Sequence, residues 1–272
     1  MYKVVLALSV LAPLVAANCA HGTSLFPRSQ SPRVNVADFD FNGLEGPLNW
    51  HILHQDNLDC AVGENQSPIN INSSSIDKAC GKSLRFHVDD YPRGARLFNL
   101  GSTVEAEATG TIHLRNKQYN LVQFHFHTPS EHRIDSEYYP QEMHFVFQAS
   151  DDTIAVVGIL IEIGTDDETS SLLKDVFENV EDIALPGDES RTGPLDFGDL
   201  EAHVQSSEIF QYSGSLTTPP CVQGLMWNVV RNPIYIDIST FRRAKSVLKF
   251  NSRYTQNTPG QINLLSNACT GI

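Results

Sequence analysis

Between residues 84 and 163 apolar side chains recur mostly at every second position in short runs, the two-residue period of half-buried strands. The runs are Leu84–His87, Arg96–Leu100, Thr103–Ala108, Thr111–Leu114, Tyr119–His127 and residues 141–149, with turn residues between them at Tyr91-Pro-Arg-Gly94 and Gly101. A shorter alternation, Gln66-Ser-Pro-Ile-Asn-Ile71, opens the strand structure. Ile154–Ile163 is nearly all apolar, the pattern of a central strand covered on both faces. The period lengthens to that of a helix in two places. Leu172, Leu173, Val176, Phe177 and Val180 mark a helix from Ser170 or Ser171 to Ile183, and Phe241, Ala244, Val247 and Leu248 mark another near 239–249. Strands dominate, so the pattern predicts a mainly β (α+β) fold. With no repeat or interdomain linker, it forms one domain over 39–272, whose first residues, 39–50, make a coiled cap. The acidic stretch 181–201 is expected to be a solvated surface loop.

Within Leu121-Val-Gln-Phe-His-Phe-His127, alternation places Val122, Phe124 and Phe126 on one face and Leu121, Gln123, His125 and His127 on the other. Two imidazoles from one strand are a start for a metal site, though a lone His-x-His is more often structural. Residues 141–148 add to it: Glu142, His144, Val146 and Gln148 share a face opposite Met143, Phe145 and Phe147. Paired strands of this kind bring His144 to the other two histidines, and three protein ligands with a fourth position open is the catalytic zinc pattern. Gln123 and Glu142 each precede a histidine by two residues. Each therefore lies on its histidine's face, able to accept a hydrogen bond from the ring nitrogen that faces away from the metal.

The 272 residues can bury a large core unaided, so a metal here need not be structural. A formal net charge of −13 argues against nucleic acid or an anionic membrane as partner. Residues 1–20 read as a secretory signal: Lys3, then an apolar run from Val4 to Ala16, then small residues that allow cleavage after Ala17. The run is short for a membrane span, and no later stretch supplies an anchor. Residues 21–38, rich in Ser, Pro and Arg without periodicity, are expected to be a flexible N-terminal segment or short propeptide. With Cys19 set aside, Cys60, Cys80, Cys221 and Cys269 remain, an even number suited to an oxidising compartment but open to three pairings. Asn72-Ser-Ser is an N-glycosylation acceptor.

Several blocks in order, Gln66-Ser-Pro-Ile, Gln123-Phe-His-Phe-His, Ser130-Glu-His132, Glu142-Met-His144 and Tyr212-Ser-Gly-Ser-Leu-Thr-Thr-Pro-Pro220, resemble the α-class carbonic anhydrases across roughly 39–266. The resemblance implies a single domain around a large, mostly antiparallel, twisted β-sheet with short peripheral helices and zinc at the base of a conical cleft. The reaction it implies is reversible hydration of carbon dioxide to bicarbonate and a proton, by attack of zinc-bound hydroxide and with possible side esterase activity. By position, His125, His127 and His144 match the zinc ligands, and Gln123 and Glu142 their hydrogen-bond partners. Thr217 matches the residue that orients the hydroxide, and Glu131 the carboxylate that takes the proton of that threonine. Val146, Val156, Leu216, Trp227 and Thr218 match the substrate pocket. The resemblance pairs Cys60 with Cys221, which leaves Cys80 for Cys269, and it implies cis peptides before Pro68 and Pro220. It departs at Ser102, where many fast members carry a proton-shuttling histidine, and at Phe41, where a tyrosine often stands. His54, His87 and His113 remain as other shuttle candidates. His21, His51, His132 and His203 are left as structural or solvated. The expected partner is a small substrate, carbon dioxide or bicarbonate. The rival reading is a non-catalytic carbonic-anhydrase-like binding module.

Overall fold

The computed structural model describes residues 34–270, apart from the side chains of Cys269 and Thr270. The expected signal over 1–20, its cleavage point, Cys19, His21 and most of the 21–38 segment lie outside the described residues. In chain order the strands are β1 (Asn70–Ile71), β2 (Asp77–Cys80), β3 (His87–Val88), β4 (Arg96–Asn99), β5 (Val104–Ala106), β6 (Gly110–Leu114), β7 (Lys117–His127), β8 (Arg133–Ile134), β9 (Gln141–Gln148), β10 (Ile154–Ile163), β11 (Glu189–Arg191), β12 (Glu208–Ser215) and β13 (Gln223–Ile236). The helices are α1 (Trp50–Leu53), α2 (Asp59–Val62), α3 (Ser171–Val176), α4 (Gly198–Ser206), α5 (Ile238–Leu248) and α6 (Leu264–Thr270).

One eleven-stranded sheet runs β11-β4-β5-β7-β9-β10-β13-β12-β2, with β6 beside the first half of β7 and β3 beside β6. Within it β10 and β13 pair parallel and the other pairs are antiparallel, as expected of a mostly antiparallel sheet. β10 is indeed central. Alternation gives the sheet two different faces. Phe124, Phe126, Met143, Phe145, Phe147, Val157 and Ile159 point into the main core, where Leu172 and Leu173 of α3, Val204 of α4 and Ala244 of α5 cover them. Each phenylalanine so buried contributes about 1.5–3 kcal/mol. The opposite face carries the histidines.

Several expectations need correction. An extra residue in β7 breaks its register against β9 between Leu121 and Gln123. That bulge puts Tyr119 and Leu121 into the same core as Phe124 and Phe126, and leaves Val122 half-buried outside it. Strict alternation had assigned Leu121 and Val122 to the opposite faces. Leu84–His87 is not a strand: Gly81–Leu84 is a 3₁₀ turn, Arg85 takes a left-handed φ of 45°, and pairing begins at His87. The helix expected over 170–183 stops at Val176. Phe177 (φ −94°, ψ 10°) leaves helical geometry and a 3₁₀ turn follows at Val180–Ile183, with the apolar face still buried. The stretch 181–201 is more than a solvated loop, since β11 pairs with β4, Leu195 and Phe197 are buried, and α4 begins at Gly198.

Cys60 and Cys221 form a disulfide, as the resemblance implies. Cys80 does not pair with Cys269: its thiol is free and exposed at the end of edge strand β2, opposite Glu208. α6 is moored elsewhere, on α2, where Ser266 Oγ donates to the Ala61 carbonyl. Cis peptides precede Pro68 and Pro220, and also Pro129. Asn72 is exposed in a turn, its Oδ1 accepting from the Ser74 N–H and hydroxyl.

Candidate metal centre

Strand register brings the histidines together. In the β7–β9 ladder His125 lies opposite His144, and His127 opposite Glu142. Residues directly across a ladder share a face with Cβ atoms about 5 Å apart. The ring centroids accordingly lie 5.0 Å (His125–His127), 5.2 Å (His125–His144) and 4.6 Å (His127–His144) apart. On β10, Gly158 stands opposite His144. A Cβ there would come within 3.1 Å of Glu142 Oε1 and 3.6 Å of the Trp227 ring, so glycine leaves the room that Glu142 needs beside its histidine.

Each imidazole is fixed by its outward nitrogen. His125 Nδ1 donates to Gln123 Oε1 (2.9 Å), His144 Nε2 to Glu142 Oε1 (2.8 Å) and His127 Nδ1 to the Asn251 carbonyl (2.8 Å). These partners only accept, so those ring nitrogens carry the protons. Nε2 of His125, Nε2 of His127 and Nδ1 of His144 are left with lone pairs facing inward. The two Nε2 atoms are 3.1 Å apart. That is close to the edge, about 3.3 Å, of a tetrahedron with metal–nitrogen bonds of about 2.0–2.1 Å. Buried lone pairs this close are satisfied by a shared cation, and the donor set fits zinc. Burial pushes all three imidazoles below their ordinary value of 6.5, His127 to about 4. They are therefore neutral near pH 7, the form that binds metal.

A second cluster, His132, Glu142 and His144, also brings its donor atoms within 4.8 Å of one another, but hydrogen bonds already close it. His132 Nδ1 donates to Glu142 Oε1 (2.7 Å), and the N–H groups of Glu131 and His132 donate to Glu142 Oε2. Burial alone would raise the Glu142 carboxyl; His132 and His144 overcome it and hold it well below the ordinary range. With Nδ1 donating, His132 Nε2 accepts from the Tyr212 hydroxyl (2.6 Å), which in turn lies 2.8 Å from Ser67 Oγ. A Cβ at Gly214 would stand 2.2 Å from Ser67 Oγ and 2.6 Å from the Tyr212 ring, so this contact depends on glycine. His132, left by the sequence as structural or solvated, is thus fully buried and orients the partner of His144. Tyr212, Ser67 and Asn251 were missed. Ser67 and Tyr212 stand inside blocks that carry the resemblance, but no role was read for them, because the contacts they make join residues far apart in the chain.

The sequence matches the family described as eukaryotic-type carbonic anhydrase over residues 45–267. The chain belongs to that family. An α carbonic anhydrase structure from Aspergillus oryzae superposes with a TM-score of 0.83 at 41% identity, covering 86% of this chain and 99% of that one. A carbonic anhydrase of Nostoc is 29% identical over 240 residues, 87% of each chain. Dioscorin dioA3 of Dioscorea japonica is 33% identical over 208 residues, covering 72% of this chain and 73% of that protein.

In this chain the other candidate site residues stand on loops beside the histidines. Glu131 follows β7, and its Oε1 accepts the Arg253 N–H (2.9 Å). Its buried Oε2 lies 3.5 Å from His127 Nε2 and has no hydrogen bond of full geometry. Burial raises the carboxyl to about 7, while His144, the Arg253 N–H and the nearby Thr217 hydroxyl draw it back down. Thr217 and Thr218 are buried in the segment between β12 and β13. Its turn is closed by Cys221 N–H donating to the Thr218 carbonyl (2.9 Å) and is bridged to α2 by Cys60–Cys221. The buried Arg253 guanidinium gathers these pieces: it donates to Gln66 Oε1 and to the Ser67 and Cys60 carbonyls, and lies over the Trp50 ring. Val146, Val156, Leu216 and Trp227 pack in one apolar cluster on the histidine-bearing face.

Ser102 is buried in the β4–β5 turn, and its carbonyl accepts from Asn251 Nδ2 (3.0 Å). Phe41 is buried edge-on against Phe39 and Trp50. Of the other shuttle candidates, His113 lies on β6 and His87 on the β3 strand beside it, next to the half of β7 that precedes the bulge. His125 and His127 lie on the other half of β7, with His144 across the ladder on β9. His54 is exposed beside Asp56.

Proposed function

We propose that the protein catalyses the reversible hydration of carbon dioxide to bicarbonate and a proton with zinc held by His125, His127 and His144. The observation that carries this reading is the convergence of three neutral, outwardly anchored imidazoles. Zinc so bound supplies the acidity that makes water a nucleophile near neutral pH. Neutral ligands leave the charge of the metal undiminished, and the hydrogen bonds to Gln123, Glu142 and Asn251 keep the rings aimed inward. Glu131, when ionised, is acceptor-only. The Thr217 proton then turns to Glu131, and the Thr217 oxygen is left to accept a hydrogen bond from the nucleophile and aim it. Thr218 borders the same position. Val146, Val156, Leu216 and Trp227 offer an uncharged molecule such as carbon dioxide a dry contact surface and give an ion none. With Ser102 unable to titrate near neutrality, proton exit depends on external buffer. A binding-module role has less support, since no metal-binding histidine is lost.

We also infer that the chain acts outside the cytosol; the signal-like residues 1–20 and the Cys60–Cys221 bridge support this reading. Asn72 is the proposed glycosylation site.

The test is stopped-flow carbon dioxide hydration on purified protein of known zinc content, with imidazole buffer varied at fixed pH and a chelated control. Chelator-sensitive hydration that climbs with buffer is expected. No hydration from folded, zinc-loaded protein would overturn the enzyme reading in favour of the binding module.

A further inference from the structure

A continuous row crosses the sheet on the metal face. Ladder partners link Phe98 to Glu105, Glu105 to His125, His125 to His144, His144 to Gly158 and Gly158 to Val229. Directly opposed residues share a face, so Glu105 stands beside His125 on the side that holds the three ligands. Its neighbours Val104 and Ala106 turn the other way, into the main core. Glu105 is 1% exposed, and a neighbour engages it rather than leaving it bare. Neither cluster able to hold a metal includes it. It is therefore a wall residue and not a fourth ligand. Nothing in the reaction described above uses it.

A buried carboxylate beside a cation site acts on whatever ligand that cation takes. Its field opposes a second negative charge and leaves a neutral ligand almost untouched, and low local polarity lengthens its reach. On the far side of the histidines the row offers only Gly158 and Val229, so within the row Glu105 is the one charged residue; the other buried carboxylates beside the site, Glu131 and Glu142, lie outside the row, next to His127 and His144. We propose that Glu105 sets the ligand preference of the metal centre: it selects against anions, both inhibitory anions and bicarbonate, and in favour of neutral ligands such as carbon dioxide. This rests on the metal-site reading above.

The experiment uses the full folded protein loaded with cobalt(II) in place of zinc, because cobalt in a histidine site reports ligand binding through its visible spectrum. Wild type and Glu105→Gln are titrated with thiocyanate, an anion, and with imidazole, a neutral ligand. The expected result is that thiocyanate binds the variant about tenfold more tightly, the order expected of one nearby charge at intermediate screening, while imidazole affinity is unchanged. KM for bicarbonate in the dehydration direction should fall in parallel. Equal thiocyanate affinity in the two proteins, or an equal change for both ligands, overturns the proposal. Glu105→Ala, scored in the same way, guards against a Gln variant that folds poorly. Failure of cobalt to give a site spectrum in wild type would instead sink the metal-site reading, so the two failures are distinguishable.

Discussion

His125, His127 and His144 stand on two neighbouring strands, whereas Thr217 and Glu131 stand on loops that meet only because distant segments tie them together. The first group needs little beyond backbone register: once β7 pairs with β9, the imidazoles face one another. The second group depends on Arg253 and on Cys60–Cys221, each spanning more than a hundred residues of chain. The imidazoles proposed to hold the metal are thus brought together by strand pairing, and the group that would aim the nucleophile is placed by long-range ties. The two regions should fail separately.

The largest effect is expected from the strand region. In His144→Ala the ladder survives, because backbone hydrogen bonds set it. The metal should be lost, and hydration should fall by roughly three orders of magnitude or more, since the acidity it lends to water goes with it. Metal analysis beside stopped-flow rates checks this, and a variant with full zinc and full activity would break the ligand assignment. Next comes Thr217→Ala, which should keep one metal per chain and lose about 10²–10³-fold in kcat, the range for removing one orienting group. Wild-type turnover in that variant would leave the loop region without its proposed role.

That division also explains what the sequence disclosed. The histidines, Gln123 and Glu142 were legible because a period of two forces their faces, and Phe124, Phe126, Phe145 and Phe147 confirmed the buried side. Leu121 and Val122 were misread because a bulge shifts the phase, and nothing in the local pattern announces it. β12 and β13 were not recognised at all. Asn228, Arg231, Asn232 and Pro233 interrupt the apolar run of β13, although Asn228 is fully buried and Arg231 is exposed beside Glu208. Asn251 and Arg253 gave no signal, because their work is done on residues more than a hundred positions away. The pairing of Cys80 with Cys269, reached by elimination, failed for the same reason: elimination carries no information about where α6 docks.

A smaller effect should come from the tie itself. Replacing both Cys60 and Cys221 by serine is expected to cost about 2–5 kcal/mol of stability, with metal content unchanged and kcat reduced. Denaturant melts and zinc analysis separate these, and loss of metal in the double variant would show that the two regions are not independent.

The smallest is a pH effect in metal-free protein. Burial raises Glu131 from its ordinary 4.5 to about 7, so the stability it contributes is complete below pH 4.5 and lost as pH rises through 7. His127 runs the other way: lowered from 6.5 to about 4, its contribution is present above 6.5 and lost as pH falls through 4. Glu131→Gln removes the first trend and keeps the second. Its melting temperature should therefore climb relative to wild type between pH 4.5 and 7, measured with chelator present. Parallel curves would mean that Glu131 titrates alike in the folded and unfolded chains.

The bulge at Val122 also decides where this strand can change length. Leu121 faces the core, Gln123 faces the metal side, and the residue between them is the surplus one. Deleting Val122 would leave an unbroken alternation with every later side chain still on its own face. Deleting any residue from Gln123 to Phe126 would reverse the part of the strand beyond or before it, and would separate the paired histidines from their partner on β9. In a lineage of such proteins, losses and gains of one residue in this strand are therefore expected to collect at one site, and the spacing from Gln123 to His127 to stay fixed.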